Sequence, residues 1–453
     1  MEQQLLFIDK EKQRVLFAES GKEFVDVLFS FLTLPLGTVV RLLGKQSGVG
    51  CLDEVYKSVE SLSTEHFQTE ACRNMLLRPL NAAAGHCDRL KVNVDYRDLR
   101  SIYLVWVGGQ WIENTDGVFV KSGPMLIITD DLQVAPASTG YVFSLLDKFG
   151  LNEKADIKEE FLFLDCEKIM SLLKRTLISK EPLTGLYFNT VVTPDAVRLD
   201  EELPANLSPK QESNDAQEVS AIKIKLIQTA DNSAVLYAEV GQDFVDLIFG
   251  LLSVPLGFIT KAYGQWPPNG CLDNLYRSVD GSAKGCIRED RRSLLLSPKL
   301  AAIFGCSMNV LQFQESDPKG PYSVECVRCF KARVDKCTCS NYYSYESISE
   351  MNPKSPSRAN VTSRAYIKGG PRNFIVTNDL RVFHFSLANT LQVMRAAMIP
   401  KEKLVEKELT LDKTQGPLAL LVHVLKLLRA AVATRDALSS VLLPAKKKRH
   451  AHH

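Results

Sequence analysis

Residues 15–59 are written a second time at 235–279. The first stretch reads VLFAESGKEFVDVLFSFLTLPLGTVVRLLGKQSGVGCLDEVYKSV and the second VLYAEVGQDFVDLIFGLLSVPLGFITKAYGQWPPNGCLDNLYRSV. The offset is a constant 220, with no gap, and 21 of the 45 positions are identical. The chain is therefore an internal duplication, and both halves must fold by the same local rules. A residue needed for chemistry in both copies should stand in both. Comparison of the copies is thus a filter for candidate sites.

Each unit opens on a predicted β-hairpin. Leu5–Asp9 and Val15–Ala18 are apolar runs joined by KEKQ, and Ile222–Gln228 and Ala234–Ala238 are joined by TADN. A helix is predicted from about Lys22 to Thr33, with Phe24, Val25, Leu28, Phe29 and Leu32 at helical spacing. Pro35 ends it and can occupy the first position of a second helix, which runs to Leu43 and is capped by Gly44. A third follows Gly50, with Leu52, Val55, Tyr56 and Val59 as its apolar stripe. The copies meet again at FVKSGPMLIITDDLQV (119–134) and YIKGGPRNFIVTNDLRV (366–382), read as two short strands joined by a turn. Helical patterns near Glu167–Leu177 and Pro417–Leu443 close the units.

These signals predict an α+β fold of two homologous tandem lobes, each an N-terminal β-hairpin followed by helices, further short strands and C-terminal helices. The first lobe spans 1–188 and the second 221–443. Residues 189–220, rich in Pro, Ser, Asn and acidic residues, read as a flexible linker. Residues 346–364 have no counterpart in the first unit and read as a disordered insertion, and 444–453 form a basic tail. A length of 453 residues suits two to four domains, and each unit is long enough to bury its own core.

The net charge of +2 conceals an asymmetry. Residues 1–220 hold 23 Lys and Arg against 33 Asp and Glu, and residues 221–453 hold 32 against 20. The lobes can attract each other, or the basic half can face an anionic partner. The N-terminus lacks the pattern of a signal peptide, and the eleven cysteines read as reduced thiols in a cytoplasmic or nuclear protein. Phe24–Leu43 is apolar, but Asp26, Arg41, Pro35 and Gly37 interrupt it, so a buried core segment is expected and no membrane span.

Three constellations could carry chemistry. Cys326, Cys329, Cys337 and Cys339 could close a tetrahedral zinc site, although the second pair has one intervening residue and only seven residues separate the pairs. The first unit has no matching cysteines, so the metal would be structural and confined to the second lobe. Gly-Cys-Leu-Asp recurs at Gly50–Asp53 and Gly270–Asp273, with the cysteine at a helix start, where the macrodipole lowers a thiol pKa. Cys271 and Arg277 even have the C-x5-R spacing of a phosphate loop, but LDNLY has the stripe of a helix, and burial is the expected role. Asp26 and Asp246, each in Phe-Val-Asp on an apolar helix, could act as bases if buried. A structural pairing is the expected role there too. None of His66, His86, His384 and His423 has a counterpart in the sister unit, and no G-x-S-x-G, phosphate loop, dinucleotide fingerprint or HExxH is present. No catalytic residue is assigned.

The phrases FVDVLFSFLTLPLGTVVRLL, GCLDEVYKSVESL, FVKSGPMLIITDDLQVAPAST and LLKRTLISKEPLTGLYF resemble the plant-specific family known as domain of unknown function 674. The resemblance covers most of residues 1–188 and nearly as much of the second unit. It implies a land-plant source and no established activity. Members of the family often carry paired C-x-x-C knuckles before the FVKSG-like strand. The second unit matches at Cys326 and Cys329 and departs at Cys337 and Cys339, and the first unit has none of the four.

The sequence therefore predicts a non-enzymatic interaction or regulatory protein with a protein partner. The first alternative is a zinc-stabilised nucleic-acid binder, from the basic second half, Arg328, Lys331, Arg333 and Lys336 around the cysteines, and the tail at Lys446–Arg449. The second is an enzyme with a site between the lobes.

Overall fold

The apolar runs at the start of each unit pair as antiparallel hairpins in a computed structural model of the chain. It describes residues 2–87, 90, 92, 104–107, 110–113, 116–123, 125–151, 156–191, 222–264, 270–306, 313–316, 324–326, 343–345, 353–355, 364–370, 373–411 and 417–443. In the first unit β1 (Glu2–Asp9) and β2 (Arg14–Ser20) lead into α1 (Lys22–Ser30), α2 (Leu36–Leu42), α3 (Leu52–Ser61), α4 (Glu70–Leu77) and α5 (Ala84–Cys87). A short ladder of β3 (Leu104–Val107) with β4 (Gln110–Glu113) follows. The unit continues with β5 (Leu126–Thr129), β6 (Val134–Pro136), α6 (Thr139–Phe149), β7 (Ile157–Leu164), α7 (Cys166–Ile178) and α8 (Pro182–Tyr187).

The second unit repeats the order. It runs β8 (Ile222–Thr229), β9 (Val235–Val240), α9 (Gln242–Gly250), α10 (Leu256–Tyr263), α11 (Leu272–Asp280) and α12 (Glu289–Leu296). The ladder of β10 (Val324–Cys326) with β11 (Tyr343–Tyr345) comes next. Then follow β12 (Phe374–Thr377), β13 (Val382–His384), α13 (Leu387–Ala397), β14 (Leu404–Leu411), α14 (Pro417–Ala433) and α15 (Ala437–Leu442).

Each unit builds a five-stranded antiparallel sheet, β6-β5-β2-β1-β7 in one and β13-β12-β9-β8-β14 in the other. Even the irregularities repeat. The first hairpin slips register between Phe7 and Ile8, and the second between Ile227 and Gln228, 220 residues on. The α+β reading and the duplication therefore hold at the level of individual hydrogen bonds. An outer helix covers one face of each sheet: Leu145 of α6 packs on Leu16, Phe17 and Ile127, and Val393 of α13 on Leu236, Tyr237 and Ile375.

The inner faces tell a different story from the one the sequence suggests. Instead of one core per unit, a single buried cluster runs from Leu6 to Leu438 through both. The units exchange elements to form it. Helix α3 of the first unit packs against β13 of the second, and α11 of the second against β6 of the first. Ser58 Oγ accepts the Val382 N–H at 2.9 Å, and its sister Ser278 Oγ accepts that of Val134 at 2.9 Å. The reciprocity extends along the whole seam. Leu36 N–H donates to Val254 O (2.9 Å) and Leu256 N–H to Leu34 O (3.0 Å). Lys121 N–H donates to Cys286 O and Lys368 N–H to His66 O, both at 2.8 Å. Pro35 bridges Pro255, and Asn81 bridges Leu300. Each of these pairs joins equivalent positions of the two copies, as a pseudo-two-fold axis between them requires.

This seam explains the shared Pro-Leu-Gly. Pro35 and Pro255 stand just before α2 and α10 in extended conformation (ψ 146° and 145°), one position earlier than the sequence suggests. They turn the chain so that the two backbones meet. A Cβ on Gly257 would lie 2.9 Å from Leu32 O, and one on Gly37 3.1 Å from Leu252 O, so only glycine allows the approach. The apolar stretch Phe24–Leu43 is buried but broken here. Among the described residues no helix is long and apolar enough to cross a membrane.

Candidate functional site

The candidates shared by both copies converge on the seam. Asp26 lies on the buried face of α1, and its carboxylate accepts the N–H groups of Val118 (2.5 Å), Phe119 (2.8 Å) and Val120 (2.9 Å). Asp246 on α9 accepts those of Tyr366 (2.5 Å) and Ile367 (3.2 Å). Each aspartate therefore fixes the loop that pairs with the opposite unit through Val120–Ile287 or Phe67–Ile367. Burial pushes the Asp26 carboxyl up to about 7, against the pull of its three backbone donors. A base needs access to a substrate proton. This side chain is buried and its lone pairs are taken by its own loop.

Cys51 and Cys271 cap α3 and α11, as the helix-start reading requires, and both are buried. Their backbone N–H groups donate across the seam, Cys51 to Ala431 O (2.7 Å) and Cys271 to Thr176 O (2.9 Å). Cys51 Sγ donates to Thr434 O at 3.1 Å. Burial pushes the Cys51 thiol up to about 12 and the Cys271 thiol well above its ordinary value, which outweighs any help from the helix dipole. Neither is an activated nucleophile. Gly50 must be glycine for the same contact, since a Cβ there would fall on Ala431 O and its φ is +47°.

The C-x5-R spacing dissolves in the same way. Arg277 bonds Asp273 (2.8 Å) and Asn274 (2.5 Å) on its own helix and faces solvent, away from the buried Cys271. Asp53 closes the loop before α3 by accepting Ser47 Oγ (2.8 Å) and Ser47 N–H.

Of the four candidate zinc ligands, the backbone of Cys326 ends β10, directly opposite Tyr343 of β11. Cys329, Cys337 and Cys339 lie outside the described residues, as do the tail and residues 192–220 of the linker. Among the described residues no group of three or more His, Cys, Asp and Glu could hold a metal ion, and seven cysteines are free thiols.

Sequence reasoning missed a buried polar cluster in the second unit. Of the 346–364 stretch, residues 353–355 and 364 are described, and the side chain of Lys354 is completely buried. Its ammonium donates to Gly305 O (2.5 Å) and Arg364 O (2.9 Å) and sits 3.5 Å from the centre of the Tyr366 ring. Burial pushes it down to about 8. Thr69 Oγ1, at the start of α4, donates to Pro353 O at 2.6 Å, so the turn is tied to the first unit. The first unit has no counterpart of the stretch that carries Lys354, so the cluster belongs to one copy only. Nothing in the pattern around Lys354 marks it for burial.

The sequence profile of the family described as protein of unknown function (DUF674) matches residues 3–105 and 109–414. The chain belongs to this family. No curated protein and no solved structure matches it.

Proposed function

We propose that this DUF674 member is a non-enzymatic interaction or regulatory protein whose duplicated lobes act as one scaffold. One observation carries the reading. The chemistry-bearing residues that both copies share, Asp26 with Asp246 and Cys51 with Cys271, all spend their polar atoms on the seam and on the loops that form it. Both copies use them for assembly. Affinity capture with the intact chain from plant tissue, with metal analysis of the same preparation, tests the role. A recovered protein partner supports it. An activity lost on Cys271→Ala or Asp246→Asn with the fold intact would sink it.

A zinc-stabilised nucleic-acid binder is the second reading. The β10–β11 ladder favours it, because it draws together the two ends of the segment that carries the other three cysteines. The basic second half supplies the charge. Binding of the full chain to DNA or RNA that weakens steeply with salt, together with one bound zinc per chain, supports this reading. No binding at low salt removes it.

A further inference from the structure

The outer helices α6 and α13 are equivalent elements, and each turns one face away from its sheet. On those faces the copies keep an apolar residue at the same position: Phe143, 61% exposed, and Leu391, 51% exposed. In α13 the apolar face is longer. Leu387 (77% exposed) lies one turn before Leu391 on the same stripe, and Met398 (89% exposed) caps the end of the helix. Met398 also takes the left-handed conformation (φ 52°) that its sister position gives to glycine, Gly150 (φ 66°). A large apolar side chain thus stands in solvent where glycine is the easier choice. One turn beyond the shared apolar residue the copies diverge in sign. Asp147 follows Phe143, and Arg395 follows Leu391, both exposed.

We propose that these faces dock on each other between molecules, so that α6 of one chain binds α13 of a second copy. Set side by side in the same direction, Phe143 meets Leu391 and Asp147 meets Arg395. Pairing of like helices in that same direction would instead set Asp147 against Asp147 or Arg395 against Arg395, so among parallel pairings the charges select the head-to-tail arrangement. The outer helices lie on the sheet faces remote from the shared core, one on each lobe. A contact of this kind leaves a free α6 at one end and a free α13 at the other, and assembly continues beyond the dimer. The inference rests on the interaction reading and names one partner for it.

Sedimentation velocity of the full chain over a concentration series tests the proposal. The expected result is reversible association that grows with concentration and weakens with salt. Asp147→Arg or Arg395→Asp alone should raise the dissociation constant about tenfold. The double variant, or an equimolar mixture of the two single variants, should restore it, because each mixture contact again joins opposite charges. Leu391→Ser should weaken association without changing the circular dichroism spectrum. A chain that stays monomeric at all concentrations overturns the proposal, as does association that neither charge reversal affects. A monomer that still captures another protein overturns this inference alone and leaves the interaction reading standing.

Discussion

Asp26 shows how a residue that looks catalytic can be structural. An aspartate on an otherwise apolar helix suggests a base with a raised pKa, and its carboxyl is indeed raised to about 7. Yet its oxygens receive three N–H groups of one loop. An amide can accept with only one oxygen, so Asp26→Asn sets an NH2 against a backbone donor and should cost about 1–3 kcal/mol. The pH dependence follows from linkage. With a folded pKa above the unfolded value of 3.8, the folded state keeps a proton that the unfolded state releases. The stability that Asp26 adds over Asn is full below about pH 4 and is lost as the pH rises through 7. Chemical denaturation of both proteins between pH 4 and 8 measures the difference. A difference that grows with pH contradicts the burial account. Lys354 is the opposite case: its burial was not legible, because the stretch around it is polar and without period.

Among the elements, those with strong local signals were read correctly. The hairpins, α3 with its stripe, the turn between β5 and β6, and the closing helices follow from spacing and turn residues. The edge strands β7 and β14 escaped because neither alternates cleanly: IKEEFLFL places Lys158 and Glu160 beside Leu162 on the inner side, and LVEKELTL mixes charge into both faces. The exchange of α3 and α11 escaped for another reason. An apolar stripe states that a helix is buried and not which sheet buries it. Ser58 and Ser278 make that choice visible. Ser58→Ala leaves the buried Val382 N–H without its acceptor and should cost about 1–3 kcal/mol, and Ser278→Ala should do the same to Val134. The two pairs share no partner, so the double variant should lose about the sum. Guanidinium midpoints at constant slope give the values. A loss under about 0.5 kcal/mol in both would mean that these bonds do not hold the seam.

At the scale of the molecule, the duplication yields one body rather than two. The copies meet about a pseudo-two-fold axis, trade helices and close a single core, much as two subunits of an intertwined dimer would. The glycine of Pro-Leu-Gly, the buried cysteines and the paired aspartates all belong to that arrangement. What the copies do not share, including the Lys354 cluster, the cysteine segment and the charges on the outer helices, is left free to differ between lobes. If the core is shared, neither lobe can open alone, because opening one exposes the helix that covers the other's sheet. Native-state hydrogen exchange across a denaturant series tests this most directly. The account predicts that the slowest amides of β1–β2 and of β8–β9 converge on one opening free energy and one slope. Two separate global openings, with one hairpin still protected after the other has exchanged, would contradict it.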